Sequence, residues 1–170
     1  MTMPMQMAGQ GAAGTVKRAG KYLTLQIAAE EYGIEILHVQ EIIGIMPVTH
    51  VPRTPDYVRG VINLRGRVIP VVDLRLKFGM ESIEDSEKTC IIVVEIQAPA
   101  GKVTMGFVVD EVLEVTAIAE QDIEDAPSFG TGLDTGYILG MAKIAGSVKI
   151  LLDIGRVLKT DELIMLDKVA

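Results

Sequence analysis

The 170-residue chain has no tryptophan, three phenylalanines, four tyrosines, two histidines and one cysteine. A single cysteine cannot close an internal disulfide, which fits a reducing compartment and leaves burial to hold the core. His38, His50 and Cys90 fall at spacings that no structural zinc set uses, so no metal is expected. Aromatic residues make up only 4% of the chain, which leaves few platforms for stacking nucleobases. Lys and Arg number 16 against 23 Asp and Glu, for a net charge of −7. The first twenty residues hold Lys17 and Arg18 and no acid, so the remainder carries −9. That balance lacks the basic footprint that binding to a phosphate backbone needs, and no nucleic acid partner is expected. The longest apolar run, Cys90-Ile91-Ile92-Val93-Val94, falls far short of the ~18 residues of a membrane span. No compact apolar stretch follows the first charges, as a secretory signal would require. The expectation is a cytoplasmic protein with no direct membrane insertion.

Enzymatic signatures are equally sparse. No serine sits in a nucleophile elbow, and Gly101-Lys102-Val103 lacks the spacing of a phosphate-binding loop. Gly9-Gln10-Gly11-Ala12-Ala13-Gly14 matches the dinucleotide fingerprint by letter, but no strand precedes it. It reads instead as part of a flexible tail over residues 1–20. Cys90, inside an apolar strand, reads as a small buried hydrophobe. His38 reads as a partly buried structural residue and His50 as a loop residue. Asp73 and Asp153 each end an apolar strand before a short helical turn, the place of a helix cap. No catalytic residue and no cofactor is expected, and the chain is not read as an enzyme.

What is present is β-strand signal. Ile and Val total 38 residues against 14 Leu, the β-branched excess that pleated surfaces favour. Leu23, Leu25 and Ile27 alternate with polar neighbours, as do Tyr32, Ile34 and Ile36, then Val103, Met105 and Phe107, then Val148, Ile150 and Leu152. That is the period of a half-buried strand. Cys90 to Val94 reads as a strand buried on both faces. Turn signals at Pro52-Arg53-Thr54-Pro55, Ala98-Pro99-Ala100-Gly101 and residues 128–136 separate the runs. One helix is expected over 160–169. Thr160 would cap it, Asp161 and Glu162 suit its positive end, and Leu163, Leu166 and Val169 share a face.

The chain also repeats. At an offset of 80, Tyr57 meets Tyr137, Gly60 meets Gly140, Gly66 meets Gly146, Val68 meets Val148 and Asp73 meets Asp153. Upstream, at an offset of 73, Gly33 meets Gly106, Val39 meets Val112 and Glu41 meets Glu114. Two such halves, each of about five short strands, imply two small barrels in one folded unit. Their approximate extents are residues 21–85 and 86–160, with interleaving of strands left open, and small cores of this size are marginal alone. The repeat breaks at Asn63-Leu64-Arg65-Gly66-Arg67, which faces Lys143-Ile144-Ala145-Gly146-Ser147. Arg59, Arg65, Arg67 and Arg75 therefore gather in one half of an acidic chain. Arginine is enriched at protein interfaces, whereas an enzyme site would also want a base and a nucleophile. An Arg65–Glu41 pair across a groove is a candidate binding feature.

Glu31-Tyr32-Gly33-Ile34-Glu35-Ile36, then Val39-Gln40-Glu41-Ile42, then Gly60-Val61-Ile62-Asn63-Leu64-Arg65-Gly66, then Ile69-Pro70-Val71-Val72-Asp73-Leu74-Arg75 form an ordered set of motifs. In this order they resemble the CheW family of bacterial chemotaxis coupling proteins, over about Lys21 to Asp167. The resemblance implies an all-β fold, with two five-stranded SH3-like barrels packed around a shared core and a short C-terminal helix, in a single domain over 21–170. It implies an adaptor that joins the histidine kinase CheA to methyl-accepting chemoreceptors and is recruited to membrane-bound receptor arrays. A CheW-like scaffold of another pathway, such as pilus or developmental signalling, is the alternative. The family's receptor groove corresponds here to Val39, Glu41, Gly60, Arg65 and Val115. Kinase or array contacts correspond to Ile123, Pro127 and Phe129. The acidic Ile123-Glu124-Asp125 departs from relatives that carry a basic residue there.

Overall fold

A computed structural model of the chain describes residues 18–127 and 136–169. The alternating segments become strands: β1 (Gly20–Ile27), β2 (Glu30–Glu35), β3 (Val39–Gly44), β4 (Val58–Leu64), β5 (Arg67–Asp73), β6 (Cys90–Ala98), β7 (Gly101–Val109), β8 (Glu111–Ile118), β9 (Ile123–Glu124), β10 (Ile138–Ile144) and β11 (Ser147–Leu152). Two helices accompany them, the single turn α1 (Leu74–Lys77) and α2 (Thr160–Val169). One sheet runs β8-β1-β2-β11-β10-β9 and the other β3-β6-β7-β5-β4. The fold is therefore β, but among the described residues neither sheet closes into a barrel by a continuous ladder. Only an isolated bridge between Thr49 and Val61 ties the chain beyond β3 to β4.

Each sheet draws on both repeats. β5 runs parallel to β7, with Val71 opposite Gly106, and β11 runs parallel to β2, with Leu151 opposite Gly33. The two pairs are repeat mates, Gly33 with Gly106 at the offset of 73 and Val71 with Leu151 at the offset of 80. The hairpins β4–β5 and β10–β11 share one register: Val58 faces Val72 and Leu64 faces Arg67, as Ile138 faces Leu152 and Ile144 faces Ser147. Both turns place two residues at positive φ, Arg65 and Gly66 in one and Ala145 and Gly146 in the other. That conformation matches the twist of a tight hairpin.

Burial follows the same duplication. Ile62, Ile69, Val71, Ile91, Val93 and Val108 fill one small cluster, and Tyr22, Ile118, Ile123, Ala142 and Leu151 fill another. A larger core between the sheets takes Leu23, Leu25, Ile34, Ile92, Val94, Met105 and Phe107, with Leu163 and Leu166 of α2. β6 alternates between two of these clusters, which is why Ile91 to Val94 reads as an unbroken apolar run. Cys90 is only half-buried at the start of that strand, where its thiol donates to the Lys88 carbonyl at 3.3 Å. It is not the enclosed hydrophobe expected.

The carboxylates at the strand ends do cap. Asp73 accepts from the Arg75 N–H at 2.9 Å, and Asp153 accepts from the Gly155 N–H at 3.2 Å. Helix α2 differs by one position from its expected cap. The Lys159 carbonyl accepts the Leu163 N–H at 2.9 Å, and Glu162 reaches back to the Lys159 N–H at 2.7 Å. Lys159 thus holds the cap position and Thr160 is the first helical residue, with Glu162 supplying half of a capping box. Arg18, within the segment read as tail, packs onto the fold. The Arg18 guanidinium donates to Glu120 and Asp125, with ion-pair distances of 3.1 and 2.8 Å, and the Tyr22 hydroxyl donates to the Arg18 carbonyl at 2.6 Å.

Candidate partner-binding cleft

Arg59, Arg65, Arg67 and Arg75 of the first repeat separate into two roles. Arg59 donates to Asp73 and Asp85, with closest distances of 3.0 and 2.8 Å, and pins the loop after α1 to β4. Arg75 donates to Asp110 at 2.8 Å, and the same carboxylate accepts the Ala28 N–H at 2.7 Å. Burial pushes the Asp110 carboxyl upward, but its hydrogen bonds from Arg75 and Ala28 outweigh that and hold it below the usual carboxylate range. These two arginines serve the fold.

Arg65 and Arg67 do not. They flank Gly66 at the β4–β5 tip, and Arg65 reaches over the open side of its sheet to Glu41 on the opposite edge strand β3. The Arg65 side chain is 69% exposed even within this pair. The pair roofs a cleft of about 250 Å³ lined by Gln40, Glu41, Leu64, Arg65, Arg67, Ile69, Val93 and Thr104. Its lining is mixed: Leu64, Ile69 and Val93 supply the apolar part, and Gln40, Glu41, Arg65, Arg67 and Thr104 the polar part. Gln40 donates to Glu95 at 3.1 Å, and Arg67 donates to the Thr104 hydroxyl at 3.1 Å. An exposed pair of this kind contributes about 0–1 kcal/mol to folding.

The other residues named from the sequence fall elsewhere. Val39 opens β3 opposite Val94, half-buried against the main core. Gly60 is buried in β4 beneath the Thr49 carbonyl and does not line this cleft. Val115 is 51% exposed on β8, the edge of the other sheet, and does not line this cleft. Ile123 was expected at a contact surface, but it is 6% exposed, enclosed with Tyr22 and Leu151, because β9 turns it inward against β10. Pro127 is exposed, and Phe129 lies outside the described residues. Among the described residues no three His, Cys, Asp or Glu side chains group as metal ligands, and no helix is long and apolar enough to cross a membrane.

Two features were not anticipated. The Arg67–Thr104 contact needs the parallel pairing of β5 with β7, which no local pattern announces. Lys149, 9% exposed, pairs with Glu31 between β11 and β2. Its signal was present in the repeat, where Lys149 stands at the place of Ile69.

Comparison with known proteins places this architecture. The model of the CheW-like domain matches residues 21–162. The chain is 38% identical over 165 residues to the chemotaxis protein CheW of Klebsiella aerogenes, covering 94% of this chain and 97% of that one. It is 33% identical over 141 residues to the chemotaxis protein CheW of Helicobacter pylori, covering 83% and 82%. The crystal structure of the scaffolding protein TtCheW from Thermoanaerobacter tengcongensis superposes with a TM-score of 0.73 at 35% identity, covering 85% of this chain and 97% of that one. With a family model spanning most of its length and curated relatives aligned nearly end to end, the chain belongs to the CheW family.

Proposed function

We propose that this chain is a chemotaxis adaptor that couples the histidine kinase CheA to methyl-accepting chemoreceptors in the cytoplasm, at membrane-bound arrays, without chemistry of its own. The relatives named as chemotaxis proteins and the solved relative described as a scaffolding protein support this reading. The observation that carries it is the cleft beneath Glu41 and Arg65. It combines the apolar Leu64, Ile69 and Val93 with the charged Glu41, Arg65 and Arg67, a mixture that suits docking of a helical tip. Glu41 and Arg65 would meet the receptor directly, Val39 and Gly60 would shape the strands beneath, and Val115 would extend the surface on the second sheet. Kinase contacts are proposed around Pro127 and Phe129, with Ile123 supporting them from inside.

The test is reconstitution of kinase, receptor-bearing membranes and this chain. The wild-type chain should carry the kinase down with the membranes, and Arg65→Glu should lose receptor binding while keeping the kinase. The double reversal Arg65→Glu with Glu41→Arg should regain fold stability but not receptor binding, because each residue touches the partner. Receptor binding by Arg65→Glu at wild-type strength would refute the assignment.

A further inference from the structure

Seven arginines occur in the chain. Arg18, Arg59, Arg65, Arg75 and Arg156 each have a carboxylate within 4.0 Å. Arg67 lines the cleft and has no such partner among the described residues; Arg53, the other arginine without one, sits on an exposed turn and does not line this cleft. Among the described residues, the acceptor that the Arg67 guanidinium meets is neutral, the Thr104 hydroxyl at 3.1 Å. A hydroxyl orients a guanidinium without cancelling its charge. The nearby anions are already engaged: Glu41 pairs with Arg65, and Glu95, opposite Thr104, pairs with Lys102 at 3.4 Å and accepts from Gln40. The cleft therefore presents one oriented, uncompensated positive charge on a chain of net charge −7.

The fold does not ask for that charge. Ser147 occupies the equivalent place in the β10–β11 hairpin, in the same register and equally exposed. We propose that Arg67 is the residue with which this cleft reads its partner, by taking a carboxylate carried on the helical segment that enters it. This rests on the adaptor reading above and deepens it. An apolar side chain of that segment would cover Leu64 and Ile69. An Asp or Glu one helical turn away, at three or four residues, would then reach the guanidinium fork, because such positions share a helix face. Arginine offers two parallel donors to a carboxylate, which lysine cannot match in geometry. Charge complementarity of this kind selects among partners that share the same apolar contacts.

The experiment is titration of the full chain with the soluble cytoplasmic hairpin of a cognate methyl-accepting chemoreceptor, at several salt concentrations. Arg67→Ser should bind about tenfold more weakly, with a flatter salt dependence and an unchanged denaturation midpoint. Arg67→Lys should fall between, and Arg67→Glu should be weaker than Arg67→Ser. Amide substitution of the hairpin's acidic residues, one at a time, should find one that removes the difference between wild type and Arg67→Ser. Arg67→Ser binding with wild-type affinity and salt slope, or no coupled acid on the hairpin, would overturn the proposal and leave the adaptor reading intact. Failure of the wild-type chain itself to bind would instead defeat the adaptor reading on which the proposal rests.

Discussion

At Gly60 the β4 backbone passes beneath Thr49, and a Cβ there would overlap the Thr49 carbonyl oxygen and lie 2.7 Å from its carbon. Its φ of +140° is also a conformation that side chains avoid. Gly60→Ala should therefore cost about 3 kcal/mol or more. Gly66→Ala, at φ +86° with no atom within 4 Å of the added methyl, should cost only about 1 kcal/mol. Denaturant midpoints of the two variants test the contrast. Glu162 is a second residue with a sharp consequence. It accepts from Lys77 at 2.8 Å, from the Tyr57 hydroxyl at 2.6 Å and from the Lys159 N–H at 2.7 Å. Burial raises its carboxyl, but these hydrogen bonds outweigh burial and hold it below the usual range. A lowered folded-state pKa gives stability that is present above the unfolded value of about 4.3 and is lost as pH falls through the folded value. Glu162→Gln should cost about 1–3 kcal/mol at pH 7, and the difference from wild type should shrink below about pH 4.5 in urea melts. The sequence pointed to Glu162 for its place near a helix start. It could not show that Lys77, 85 residues earlier, completes the site.

The hairpins show what the sequence conveys at the scale of an element. Matched glycines, matched alternation and matched terminal aspartates made the repeat visible, and the shared register of β4–β5 and β10–β11 bears it out. The parallel contacts of β5 with β7 and β11 with β2 were not legible, because pairing across the chain leaves no mark on local periodicity. The turns carry a testable strain. Arg65 sits at φ +53° and Ala145 at φ +51°, where glycine is more comfortable. Ala145→Gly should leave stability unchanged or raise it by up to about 1 kcal/mol, since relief of the strained φ offsets the added freedom of the unfolded chain. Arg65→Gly should do the same for the fold while weakening receptor binding. A melt and a binding titration on one sample of each variant would separate the two effects. Loss of stability in Arg65→Gly would show that the Glu41 pair matters to folding after all.

Across the whole molecule, the two halves cannot be parted without breaking both sheets, because β5 pairs with β7 and β11 with β2. Heat or urea should unfold the chain in one transition followed alike by different probes. Fragments 1–85 and 86–170 should each be unstructured alone and should regain native-like circular dichroism when mixed. A fragment that folds alone would show that its half has a self-sufficient core. The expectation of two barrels captured the paired clusters and the core between them. It missed the open edges, since whether a sheet closes depends on strand tilt and stagger, which side-chain patterning does not encode. The common register of the two hairpins also makes the molecule a holder with two sockets, of which one is fitted. The tip Asn63–Arg67 and the tip Lys143–Ser147 are interchangeable parts in backbone terms, so changing the second into the first would raise the number of recognition tips from one to two. On the proposed reading, the single fitted tip lets this face take one receptor hairpin, while the kinase is held elsewhere on the chain.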